Sequence, residues 1–275
     1  MKTRKPFSKE IILLENLNQV VDDIAQKLRQ DILVNFKRNG AVVGISGGID
    51  SSVCLALSVK AFGAEKVLGI IMPEKDSSPD SEELALELAA RFGIRTVKEV
   101  ITDALTGFRC YERRDEAVKR VFPEYDPKTW KMKIGVRQSG LYNNLPPLFT
   151  LTVIDSDGNQ KDKILHAPEY LQIVAASNFK QRSRMSILYY HAEALHYAVI
   201  GTPNKHEQEQ GFFVKYGDGG VDIEPIAHLY KTQVYALGEY LNVPVEILKR
   251  APSPDTYTAE VSDTEFYFSV PFNIL

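Results

Sequence analysis

Cysteine is nearly absent: the 275 residues hold two, Cys54 and Cys110, which make neither a disulfide framework nor a Cys-x-x-Cys site. Long apolar runs are missing too. No stretch approaches the roughly 18 apolar residues of a membrane-crossing helix. The Lys- and Arg-bearing start is not followed by the apolar segment of a secretory signal, so a cytoplasmic protein without membrane contact is expected. Charge of one sign is lacking as well. With 33 Lys and Arg against 36 Asp and Glu the formal net charge is -3, which argues against a dedicated nucleic-acid binder, whose binding face is usually strongly basic. Neither an internal repeat nor a low-complexity segment is present.

What is present starts with 44% apolar content, enough over this length for a full core, most simply one α/β domain spanning 1–275 with an elaboration. Residues 10 to 38 carry Ile12, Leu13, Leu17, Val20, Val21, Ile24, Leu28, Ile32, Leu33 and Phe36 at helical spacing, ending at Asn39-Gly40. A strand at 41–45, a helix near 50–63, a strand at 66–72, a helix near 80–92 and a strand near 95–100 follow. A helix at 181–197, a strand end at 198–201 and a helix near 230–241 resume the rhythm. This alternation predicts a doubly wound parallel sheet with helices on both faces and a ligand at the carboxyl ends of its strands.

The most specific signal lies in Ala41-Val42-Val43-Gly44-Ile45-Ser46-Gly47-Gly48-Ile49-Asp50-Ser51-Ser52, an apolar strand entering a small-residue turn and then a helix. Two adjacent glycines let backbone N–H groups approach an anion, the helix dipole stands behind them, serine hydroxyls add donors, and Asp50 adds a carboxylate suited to Mg²⁺. The spacing is neither that of a Walker A loop nor that of a dinucleotide fingerprint. Ser-Gly-Gly-x-Asp-Ser after a strand instead resembles the pyrophosphate loop of the N-type ATP pyrophosphatases, which cleave ATP between its α- and β-phosphates and adenylate an acceptor.

Between Ile101 and Ser177 the rhythm breaks, so 102–177 reads as an inserted α+β segment. Its first part is basic, with Arg109, Arg113, Arg114, Lys119, Arg120, Lys128, Lys131, Lys133 and Arg137, and is read chiefly as a solvated helix face. A lid over an anionic acceptor, with Trp130 and Tyr142 as stacking surfaces, is the sharper alternative for 105–175. A β-hairpin is expected where Phe149 to Ile154 alternates toward Asp157-Gly158 and Lys161 to Leu165 returns.

The second half carries Gly201-Thr202-Pro203-Asn204-Lys205-His206-Glu207, then Lys215-Tyr216-Gly217-Asp218-Gly219-Gly220-Val221-Asp222, then Leu229-Tyr230-Lys231. Together with the first loop this order resembles the ammonia-dependent NAD synthetases, over roughly residues 10–100 and 175–255. The resemblance implies an adenine nucleotide alpha hydrolase-like fold, a homodimer, and amidation of deamido-NAD with ATP as co-substrate, Mg²⁺ and ammonia. By matched motif, Gly44, Ile45, Ser46, Gly47, Gly48, Ile49, Asp50, Ser51, Thr202, Lys231 and Ser253 would contact ATP. Asp50 and Glu207 would hold the metal. Asn178, Arg182, Lys215 and Asp222 would line the deamido-NAD site, and Asp50, Lys231 and Asp218 would carry the chemistry, Asp218 or Asp222 taking the proton from ammonium. Taken singly, Lys215, Asp222 and Glu207 would be ordinary solvated charges.

The chain departs from the family pattern in the 102–177 stretch. It departs again after Ser253, where the family's later His-Lys pair and last helix are not found. Three alternatives stay open: an ATP pyrophosphatase that amidates a different carboxylate, a nucleotide-binding module without turnover, and a separate glutaminase subunit that supplies ammonia. A tRNA-thiolating activity is disfavoured by the missing paired cysteines.

Overall fold

The computed structural model describes residues 12–137, 148–253 and 256–268. Four strands, β1 (Ala41–Gly44), β2 (Val67–Ile71), β3 (Arg95–Lys98) and, late in the chain, β7 (Ala198–Ile200), form a parallel sheet in the order β3-β2-β1-β7. Ala41 pairs with both Val67 and Ala198, so β1 is flanked on either side. Alternation sorts its residues between two cores. Ala41 and Val43 face one side with Ile71 and Ile200, while Val42 faces the other with Leu68, Ile70 and Val199.

The first face is covered by α1 (Leu17–Arg29), α2 (Ile49–Phe62), α3 (Pro79–Phe92) and α8 (Lys231–Tyr240), through Leu28, Val53, Leu57, Leu88, Val234 and Leu237. The second face is covered by α6 (Ala167–Leu195), through Ile187, Leu188 and Ala192. Winding from β1 to β3 in one direction and to β7 in the other puts the crossover helices on opposite faces, as right-handed connections require. The strand order therefore reverses between β1 and β7, and a crevice opens at their carboxyl ends.

Two helices differ from the expected spans. The helix expected over 10–38 begins at Leu17, where the Asn16 side chain accepts the Gln19 N–H (3.1 Å), and it widens into a π-helical stretch, Gln30–Asn35. Residues 10 and 11 of that expectation lie outside the described residues. The helix expected at 181–197 starts at Ala167 instead. Periodicity missed its first half because α6 has no single apolar face. Ile173 packs into a second unit, whereas Ala192 packs on the sheet.

That second unit comprises α5 (Cys110–Val121), which follows the short α4 (Thr102–Gly107), and an antiparallel sheet of β4 (Lys131–Arg137), β5 (Leu148–Ile154) and β6 (Gln160–Ile164). The β5–β6 pair turns through Asp155 to Asn159, with Ile154 opposite Gln160. Val118, Phe122, Met132, Ile134, Leu151 and Val153 fill its core together with Tyr257. The basic run here is not uniformly solvated, as expected for a helix face. Arg114 is 3% exposed and is paired with Asp76 and Asp115. Nor is Trp130 a free stacking surface: it packs on this core, edge-on to Tyr125 with ring centroids 6.3 Å apart. Tyr142 lies outside the described residues.

Gly201 closes β7 where the crevice begins. A methyl group there would lie 2.5 Å from Val221 Cγ2 and 2.9 Å from Glu224 Cγ. Gly201→Ala is therefore expected to destabilise the fold by about 1–3 kcal/mol, measured by urea unfolding, and a change below about 0.5 kcal/mol would contradict this packing.

Candidate active site

The loop after β1 is shaped by its own small residues. Gly47 sits at φ +73, and a Cβ there would come 2.8 Å from the Ser81 carbonyl, so glycine is required twice over. Ser51 and Ser52 donate from their hydroxyls to the Gly48 carbonyl (3.0 and 2.8 Å), and the Gly48 N–H donates to Ser46 Oγ (3.3 Å). α2 then begins with no side-chain cap, leaving its first-turn N–H groups and dipole for an external anion.

Opposite this loop stands α7 (Lys205–Gln210), started by a capping box: Asn204 Oδ1 accepts the N–H groups of His206 and Glu207, and Glu207 Oε2 accepts the Asn204 N–H (2.9 Å). Asn204 also donates from Nδ2 to Asp50 Oδ1 (3.2 Å). The second oxygen of Asp50 accepts from Lys231 Nζ at 2.5 Å, and Glu207 Oε1 lies 4.0 Å from the same ammonium. Lys231 opens α8 and is 1% exposed; its N–H donates to His206 Nδ1 (3.4 Å).

The electrostatics follow from one buried cation among carboxylates. Burial raises the Glu207 carboxyl well above its ordinary range, the Asp50 charge adds to this, and Lys231 opposes it. Burial alone would lower Lys231, but Asp50, Glu207 and Asp263 outweigh it and hold the ammonium charged. Asp263 itself is pushed up to about 6, by burial first, against the pull of Lys231. His206 is lowered by burial and by Lys231, which keeps its ring neutral at pH 7.

Asp50, Glu207, Lys231 and Asp263 border a cavity of about 630 Å³ at the strand-order reversal. Of the residues singled out in the sequence, Gly44, Ile45, Ser46, Gly48, Ile49, Asp50, Ser51, Thr202, Lys231 and Ser253 line it, as do Asn178, Glu207 and Asp218. Burial raises Asp218 although its carboxylate accepts the Val214 N–H (2.7 Å). Gly47 shapes the loop from behind. Arg182, Lys215 and Asp222 stand outside the lining: Arg182 Nε donates to the Lys215 carbonyl (3.2 Å), and Asp222 accepts from Tyr189 Oη (3.0 Å) and the Val199 N–H (2.8 Å).

Gln181 and Arg184 of the same helix line the cavity instead, with Tyr170, Val174, Phe212 and Tyr267. Asp263 and Arg250 also line it and went unnoticed in the sequence. Arg250 donates to Ser81 Oγ (2.8 Å) and to the Gly47 carbonyl (3.4 Å), bracing the phosphate loop. Nothing local marks Asp263: an acid between Ser262 and Thr264, with Glu260 and Glu265 close by, acquires meaning only when the fold brings it to Lys231. Among the described residues no group of three or more His, Cys, Asp or Glu forms a metal cluster.

An anion-binding loop at a strand-order reversal, with two carboxylates sharing one lysine, defines a nucleotide-binding α/β protein equipped to handle polyphosphate. The NAD synthase family model matches residues 18–124 and 150–274, and the chain belongs to that family. The internal stretch outside the match is thus 125–149, shorter than the 102–177 segment set apart above, and the match continues well past Ser253.

Among curated relatives, the NH(3)-dependent NAD(+) synthetase of Mesorhizobium japonicum is 49% identical over 93% of this chain and 79% of its own length. That of Rhizobium rhizogenes is 47% identical over 92% of this chain and 76% of its own length. Of solved structures, an NMN synthetase from Francisella tularensis superposes with a TM-score of 0.65 at 26% identity, covering 94% of this chain and 83% of that one. An NH3-dependent NAD synthetase from Campylobacter jejuni gives a TM-score of 0.60 at 24% identity, over 86% and 78% of the two chains, and supports the fold.

Asp263 generates a pH test. Its folded pKa, about 6, lies above the ordinary value of 3.8, so the folded protein binds more protons and the group's stabilising contribution, full below pH 4, is lost as pH rises through 6. Asp263→Asn should therefore gain stability relative to the wild type by up to roughly 3 kcal/mol between pH 4 and pH 7. Urea unfolding of both proteins in EDTA measures this, and a difference that is flat with pH would contradict it.

Proposed function

We propose that the protein amidates deamido-NAD to NAD with ammonia, consuming ATP and releasing AMP and pyrophosphate, in line with the NH(3)-dependent NAD(+) synthetases it resembles. The observation that carries this reading is Lys231, buried between Asp50 and Glu207 beside an anion-binding loop. A carboxylate attacking a polyphosphate brings anions together, so charge neutralisation and in-line placement are the main requirements. The first-turn N–H groups of α2 and the hydroxyls of Ser46, Ser51, Thr202 and Ser253 orient the ATP phosphates. Lys231 then offsets charge on the departing pyrophosphate, leaving an acyl-adenylate that ammonia resolves.

No enzyme nucleophile is required. Asp218, half-buried and with a raised pKa, takes the proton from ammonium, a role for which Asp222 is poorly placed because it stands outside the cavity lining. The donor set suits Mg²⁺: Asp50 and Glu207 supply more negative charge than one lysine balances, and this cation commonly takes one or two carboxylates together with substrate phosphates. When bound, Mg²⁺ would offset the polyphosphate charge.

Arg182 and Lys215, exposed beyond the cavity, would meet a dinucleotide that extends past its rim. No helix among the described residues is long and apolar enough to cross a membrane, in keeping with a cytoplasmic enzyme. The likeness to an NMN synthetase favours one second reading, with the mononucleotide acid as acceptor. Incubating the protein with ATP, Mg²⁺ and ammonium plus either deamido-NAD or deamido-NMN, then following AMP, pyrophosphate and the amide, decides. NAD formation supports the proposal. Amidation of the mononucleotide alone supports the second reading, and no AMP with either acid leaves a nucleotide-binding module.

Asp50→Asn and Glu207→Gln each remove a charged oxygen ligand with little change in shape, so each should lower kcat at least about a hundredfold while the protein stays folded. Activity within about threefold of wild type in both variants, at ordinary Mg²⁺, would overturn the metal assignment.

The nitrogen source is a separate prediction. Both cysteines are buried, and burial raises both thiols, most strongly Cys54, where the Asp50 and Glu207 charges add to it, so neither is a thiolate nucleophile for glutamine. Ammonia should support turnover by the purified chain and glutamine should not, a separate glutaminase partner being the remaining route to glutamine nitrogen. Glutamine-driven turnover abolished by Cys54→Ala or Cys110→Ala would contradict this.

A further inference from the structure

A second buried ionic cluster lies behind the cavity wall. Lys180, in the middle of α6, is 1% exposed, and its Nζ donates to Glu74 Oε1 (2.8 Å), Asp76 Oδ2 (2.7 Å) and the Thr256 carbonyl (2.8 Å). Three ammonium protons thus meet three acceptors from two separate segments. Glu74 is completed by Tyr111 Oη (2.7 Å) and the Asp76 N–H (3.0 Å), and Asp76 by Arg114, which pairs in turn with Asp115.

Burying such charges is costly, and an apolar core of equal volume often serves stability as well or better. What apolar packing cannot do is hold two polar segments in one register. Glu74, in the loop between β2 and α3, lines the cavity together with its neighbours Ser77 and Ser78. Thr256 and Tyr257 line it from the other side, and Asp263 of the same segment donates its N–H to the Pro252 carbonyl (3.0 Å), next to Ser253. One side chain on α6 therefore joins the wall that follows β2 to the wall that carries Thr256.

We propose that Lys180 is a positioning residue for ATP, fixing the Thr256 wall against the Glu74 loop so that the cavity between them has the width the nucleotide needs. This rests on the ATP-using reading of the site given above. Lys180 touches no substrate itself and acts through Thr256 and Glu74.

Lys180→Met alone leaves two buried carboxylates short of a cation and is exposed to misfolding. Lys180→Met/Glu74→Gln removes one charge of each sign and leaves Asp76 with Arg114, and Glu74→Gln alone is its reference. The readouts are the unfolding midpoint without ligand and the Kd of MgATP by calorimetry. The double variant is expected to fold and to bind MgATP at least about tenfold more weakly than Glu74→Gln, a change that a purely structural contribution to the midpoint would not produce. Binding within about threefold of that reference, or failure of both Lys180 variants to fold, would make Lys180 a folding residue and overturn the proposal. Absence of MgATP binding in the wild type would instead overturn the reading of the site, and this proposal with it.

Discussion

One buried ammonium organises the functional end of the molecule. Lys231 is 2.5 Å from Asp50 at the start of α2 and 4.0 Å from Glu207 in the first turn of α7, and its charge opposes the burial that raises Asp263. Three carboxylates in a low-dielectric crevice repel one another strongly, and their segments would separate without a cation between them. With it they converge, but the balance stays negative. With three carboxylates to one ammonium, the site suits the divalent cation proposed above, a combination fitted to polyphosphate chemistry.

The fold is the means of bringing those segments together. Because β2 and β7 lie on opposite sides of β1, the loops leaving β1 and β7 splay apart at their carboxyl ends, and the gap is filled by polar residues from both. The antiparallel unit adds a second wall through α6, which spans both cores and brings Asn178, Gln181 and Arg184 to the cavity. Two ionic clusters thus border one cavity from different sides. The Lys231 cluster faces the phosphate loop, and the Lys180 cluster sets the wall opposite.

The parallel sheet was readable in the sequence because its signals are local: apolar runs of strand length, helical periods between them, and a glycine pair whose first member, Gly47, takes a positive φ that other residues rarely adopt. The same holds for Asp50, Glu207 and Lys231, which stand in motifs with fixed spacing and meet at the cavity. Long-range packing governed what was not readable. α6 begins at Ala167 rather than near 181 because its buried side changes from one core to the other. Arg114 sits in a run that looks solvated, yet its partners are Asp115 beside it and Asp76 from a distant loop. Asp263 and Arg250 become site residues only through tertiary contact, and Arg182, although one position from Gln181, points past the cavity on the same helix.

On the proposed function, the cavity joins an acceptor carboxylate to the α-phosphorus of ATP before ammonia arrives. Oxygen-18 in the carboxylate of deamido-NAD tests this directly, by mass spectrometry of the products of one turnover. Attack on the α-phosphorus transfers one labelled oxygen to AMP, and the account predicts AMP carrying that single label with unlabelled pyrophosphate. Unlabelled AMP alongside NAD formation, or label in pyrophosphate or phosphate, would contradict it.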